Sequence, residues 1–104
     1  MTRGEIYRVR LTTSRGREQV GPRYAVIVQA EQLLGLSTAI IAPTSRSAAP
    51  ATFRPQINLA GESTRVMVEQ LRAVDVERLV TFAGRLSAPE QRAVDHAVAL
   101  VLDL

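Results

Sequence analysis

One stretch of this chain, Ser87 to Leu102, places apolar residues at helical spacing; everything before it is a series of short β-branched runs cut by glycine, proline and polar loops. That asymmetry is the strongest constraint on the fold. Val94, Val98 and Val101 recur along one helical face, joined by Ala97 and Leu102. Ser87-Ala88-Pro89-Glu90 has the S-x-x-E form of a capping box, and its proline falls in the first turn, where a missing N–H is harmless. These features predict a helix from Ala88 to Leu102.

The preceding runs read as strands. Tyr7, Val9 and Leu11 alternate with Arg8 and Arg10, so Glu5 to Leu11 is expected to be half-buried. Tyr24 to Gln29 is continuously apolar, the pattern of a central strand buried on both faces. Ala30 to Leu36 fits one helical turn ending at Gly35. Thr38 to Ala42 is expected to be a second buried strand, stopped by Pro43, which has no amide for a ladder. Gln56 to Leu59 is a short strand, Gly61-Glu62-Ser63 a turn, and Val66 to Leu71 a further alternating strand. Asp75 can cap a turn through Arg78, and Leu79 to Leu86 returns as a strand with a bulge at Gly84. Thr12 to Pro22 and Thr44 to Arg54 are polar loops. Many short strands followed by one amphipathic helix make an α+β domain, with a mostly antiparallel, barrel-like sheet. At 104 residues, with no repeat or linker, the chain is expected to be one domain spanning 1–104.

Composition removes whole classes of chemistry. With no cysteine and a single histidine, His96, a two-histidine acid–base pair is unavailable within one chain and a protein-built zinc site lacks its usual ligands. The ten acidic residues are scattered along the chain, with no sign of the converging set of carboxylates a two-metal nuclease needs. Neither a P-loop, a G-x-G-x-x-G nor a G-x-S-x-G motif is present. No metal or cofactor is therefore expected. No apolar run approaches the roughly 20 residues of a membrane span. The first residues lack the apolar core of a secretory signal, so a cytoplasmic location is expected. The net charge is +3, which favours an acidic partner. All thirteen basic residues are arginine. A GC-rich coding bias accounts for most of that, and the guanidinium fork suits phosphate in any case.

Polar residues then remain at strand ends and in the two loops. If Tyr24–Gln29 and Thr38–Ala42 pair as antiparallel neighbours, Arg23 and Thr44 fall at the same end of the sheet. Pattern alone favours the plainer account, a solvated strand-entry arginine and a turn-capping threonine.

A resemblance covers nearly the whole chain. Arg3-Gly4-Glu5-Ile6-Tyr7 followed by Gly16-x-Glu18-Gln19-x-Gly21-x-Arg23 resembles the R-G-E-I-W and G-x-E-Q-x-G-x-R-P-V-V opening of the MazF/PemK toxins. Ile41-Ala42-Pro43-Thr44-Ser45 is similar to the family's V-x-P-x-T-S strand end, and Val68 to Asp75 to its V-x-x-D-Q-x-R segment. The resemblance implies an SH3-like barrel of the CcdB/PemK kind with a C-terminal helix, a homodimer, and a toxin of a type II toxin–antitoxin system. It implies metal-independent, sequence-selective cleavage of single-stranded RNA to 2′,3′-cyclic phosphate and 5′-hydroxyl ends. It also implies inhibition by an antitoxin with an acidic, partly disordered tail. The family's catalytic arginine and threonine map onto Arg23 and Thr44, with Glu69 or Glu18 as base. Arg15, Arg17, Glu18, Gln19, Ser45, Arg46 and Gln70 are the RNA-binding candidates. This sequence departs from the family pattern in having Tyr24 where a proline usually follows the arginine, Met67 where some members carry a further arginine, and Glu69 for the usual aspartate. The alternative is a CcdB-like gyrase poison. The ending Val101-Leu102-Asp103-Leu104 lacks the tryptophan-bearing tail such poisons use. A non-catalytic nucleic-acid binder is a third reading, disfavoured by an aromatic content of 4%.

Overall fold

The computed structural model describes residues 1–10 and 23–104, so the first loop and its candidates Arg15, Arg17, Glu18 and Gln19 lie outside the described residues. Seven strands are seen: β1 (Glu5–Val9), β2 (Arg23–Ile27), β3 (Thr38–Ser45), β4 (Gln56–Leu59), β5 (Glu62–Val66), β6 (Arg72–Asp75) and β7 (Leu79–Arg85). One helix, α1 (Ala88–Leu102), closes the chain. The sheet order is β4-β5-β3-β2-β1-β7, with β6 also on β3, and every pairing is antiparallel. The result is the expected α+β architecture, an SH3-like antiparallel sheet curled into a half-barrel with one C-terminal helix.

The sheet is covered on both faces. Ile6, Val26, Ala42, Val66 and Val68 pack with Val94 and Ala97 of α1. On the opposite face Val9, Ala25, Ile27, Ala39, Ile41, Val74 and Leu79 form a second cluster. Burying each such valine or isoleucine contributes roughly 1.5–3 kcal/mol. The continuous apolar run of β2 is explained by this two-sided burial. The helix starts as its capping box requires: Glu90 N–H donates to Ser87 Oγ (3.3 Å) and Ser87 N–H to Glu90 Oε1 (2.9 Å). Glu90 Oε2 also accepts from Asn58 N–H at 2.8 Å, tying the helix start to β4.

Two expectations are corrected along β3. Pro43 does not end the strand, which runs on to Ser45. Its carbonyl accepts from Met67 N–H at 2.8 Å. In an antiparallel strand a residue's N–H and C=O project to the same edge. The missing amide therefore falls where β6 has ended and β5 begins, and no ladder bond is lost. The alternating segment Val66 to Leu71 is not one strand. Thr44 faces Val66 and Ile41 faces Arg72, so five residues, 67–71, cover the length of β3 that Ala42 and Pro43 span. The excess folds into a 3-10 turn over Val68–Gln70, which drops Val68 into the core.

Smaller expectations hold. A 3-10 turn occupies Glu31–Leu33, and Asp75 caps another through Glu77 N–H at 2.9 Å. The β1–β7 register shifts beside Gly84. The β4–β5 hairpin turns one residue earlier than expected, on Ala60 and Gly61, both at positive φ (54° and 85°), the sign favoured by the right-handed twist of a two-residue hairpin.

Candidate functional site

The antiparallel pairing of β2 with β3 brings Arg23 and Thr44 together. Ala25 faces Pro43, so Thr44 falls opposite Tyr24, and the Thr44 hydroxyl donates to the Tyr24 carbonyl at 3.1 Å. Tyr24 in turn faces Arg8, and Arg8 faces Thr81. Thr44, Tyr24, Arg8 and Thr81 thus form one transverse row over four strands. All four line a cleft of about 770 Å³, together with Arg23, Ser45 and Arg46. The β4–β5 hairpin, from Leu59 to Glu62, supplies another wall.

Arg23 stands between this cleft and a smaller one of about 60 Å³ that Gln70 and Arg72 also line. Its Nε is buried and has no acceptor among the described residues. Leaving such a donor unmet costs about 1–3 kcal/mol, so an anion entering here meets a group that gains from it. Thr44 and Ser45 are both buried, at 6% and 8% exposure. Ser45 Oγ lies 3.2 Å from Ser47 Oγ and accepts from Ser47 N–H at 3.3 Å. Arg46, at the rim, pairs with Glu62 of the hairpin, the one acidic side chain among the described residues that lines the cleft.

Glu69 sits elsewhere. Its Oε2 accepts from Arg54 Nε (2.9 Å) and Nη2 (2.7 Å), and it lines neither cleft. Gln70 is placed beside Arg23 in the smaller cleft, not in the larger one. His96 is exposed on α1. Arg8, Tyr24 and Thr81 are not among the site candidates that the sequence offers. The alternation of β1 does put Arg8 on a definite face, but only the register across four strands shows that this face continues to Thr44. Among the described residues no three His, Asp or Glu side chains converge as metal ligands would.

Residues 2–102 match the family described as PemK-like, MazF-like toxin of type II toxin-antitoxin system. Rv3098A of Mycobacterium tuberculosis is 37% identical over 98% of this chain and 97% of its own length. MazF9, an endoribonuclease of the same organism, is 34% identical over 100% of this chain and 98% of its own. Among solved structures, a mycobacterial endoribonuclease in complex with its cognate antitoxin superposes with a TM-score of 0.84 at 14% identity, covering 100% of this chain and 96% of that one. The chain therefore belongs to the PemK-like, MazF-like toxins of type II toxin–antitoxin systems.

Proposed function

We propose that the chain is a metal-independent endoribonuclease. It cuts single-stranded RNA sequence-selectively in the cytoplasm, with Arg23 and Thr44 as its catalytic residues. The observation that carries this reading is the placement of a half-buried arginine, its buried Nε without an acceptor among the described residues, beside a buried threonine in one arginine-lined cleft. In the reaction the ribose 2′-oxygen bonds to the adjacent phosphorus and the bond to the 5′-oxygen breaks. A proton leaves the 2′-hydroxyl and another reaches the departing 5′-oxygen. Negative charge grows on the non-bridging oxygens as this happens. The Arg23 fork meets that charge, and the Thr44 hydroxyl turns from the Tyr24 carbonyl to donate to it. Preorganised donors of this kind are often the largest catalytic contribution, about a hundred- to a thousandfold each. Arginine stays protonated up to about pH 12, so Arg23 stabilises charge and does not act as the base. Ser45, Arg46 and Gln70, with the first-loop residues Arg15, Arg17, Glu18 and Gln19, bind the flanking nucleotides. The same arginine-lined cleft suits an acidic antitoxin tail, which would compete with RNA.

Purified protein is expected to cut single-stranded RNA in EDTA, leaving 5′-hydroxyl ends, and an acidic antitoxin peptide is expected to inhibit it. Arg23→Ala and Thr44→Ala should each lower kcat by about a hundredfold or more with unchanged circular dichroism. Full activity in either variant, or intact RNA with the wild type, overturns the reading.

A further inference from the structure

Among the described residues the Glu69–Arg54 pair is the most enclosed ion pair between two side chains, and the reaction does not use it. The two side chains are 25% and 22% exposed, and Glu69 Oε1 is buried without a partner among the described residues. Arg54 is spent on holding its own loop. Its Nη1 donates to the Ala49 carbonyl at 3.1 Å, its N–H to Ala51 at 3.0 Å, and its carbonyl accepts from Arg65 Nη1 at 2.9 Å. The guanidinium also lies 5.5 Å over the Phe53 ring.

The segments joined by this pair flank the candidate site. The loop held by Arg54 begins at Arg46 and Ser47, which line the larger cleft. The 3-10 turn that carries Glu69 starts after Met67, whose N–H holds the Pro43 carbonyl next to Thr44, and ends at Gln70 beside Arg23. We infer that Glu69 is a positioning residue. With Arg54 it clamps the 46–55 loop to the 3-10 turn and so fixes the walls on either side of Thr44, and it takes no proton from substrate. A general base must come within hydrogen-bond reach of the proton it removes. Glu69 points instead into a guanidinium that already occupies one of its oxygens twice. This inference rests on the cleavage reading above, which its test separates from it.

Glutamine at position 69 keeps an acceptor for Arg54 but cannot act as a base. The clamp therefore predicts that Glu69→Gln cuts RNA within about tenfold of wild type and keeps its pH profile. Glu69→Leu and Arg54→Met should each lose up to about a hundredfold, the scale of a displaced site wall, and the double variant should lose little more. A base would give the reverse: Glu69→Gln down by about a hundred- to ten-thousandfold with an altered pH profile, and Arg54→Met far more active. That pattern overturns the clamp. Should Glu69→Leu fail to fold, the comparison of Glu69→Gln with Arg54→Met decides alone. Hydrogen exchange supplies a readout independent of cleavage. The Arg54 amide should stay protected in Glu69→Gln and lose protection in Arg54→Met, and unchanged protection there overturns the clamp. Failure of the cleavage reading shows differently, as RNA left intact by the wild type.

Discussion

Arg8 shows how much a single residue's role depends on its neighbours across the sheet. It is exposed on β1, faces Tyr24 on one side and Thr81 on the other, and shares the cleft with Arg23. From this position it can bind a phosphate beyond the one at Arg23. Arg8→Ala is expected to weaken RNA binding about equally for all sequences and to reduce the slope of log affinity against log salt by about 1, measured by titration at several salt concentrations. A changed cleavage motif with an unchanged salt slope would rule this out. Arg23 and Thr44 were legible beforehand because local resemblance and the assumed pairing of two strands both pointed to them. Arg8 was not, because a charge alternating with apolar residues reads simply as the wet face of a strand.

At the level of elements, the helix was readable to its ends because its boundaries are set by local chemistry: a capping box at Ser87 and apolar residues at one period. Glu90 makes that start pH-sensitive. Burial acts to raise its pKa, but hydrogen bonds from the Ser87 and Asn58 amides and the Ser87 hydroxyl outweigh it and leave the value below the ordinary 4.5. A lowered carboxylate pKa stabilises the fold above the unfolded-state value, and that contribution disappears as pH falls through the folded-state value. Glu90→Gln should therefore cost about 1 kcal/mol at pH 7, the size of a typical cap. Its gap to wild type should close in acid, as denaturant titrations at both pH values would show; a constant gap contradicts it. The segment after β5 was misread for the opposite reason. Val66 and Val68 alternate as a strand would and both are fully buried, yet the length mismatch with β3 decides their conformation. Such a mismatch depends on residues more than 20 positions away and leaves no local sign.

For the whole molecule, the barrel-like sheet and its helix followed from the order of patterns, whereas the cleft did not, because it exists only once four strands are in register. The described chain also leaves apolar surface uncovered. Val80 and Phe82 are about half exposed on β7, at one end of the sheet order, and Leu100 and Leu102 are similarly exposed on α1. We propose that a second copy of the chain covers part of this surface. Sedimentation should give twice the 11.4 kDa chain mass, and Phe82→Arg or Leu100→Arg should shift it toward the monomer. A monomer in the wild type at micromolar concentration would refute the dimer. The strand β3 carries a different consequence, for how this sequence can change. One edge of it is shared by β6 and then β5, and Thr44 follows directly after the changeover at Pro43. Adding or removing one residue between Thr38 and Pro43 would turn Thr44 to the other face of the sheet. The loop that follows ends in an Arg54 anchored by its own side chain, so it can absorb insertions between Ser47 and Ala49 without moving either end. Length variation among functional descendants of this chain should accumulate in that loop and be absent from β3.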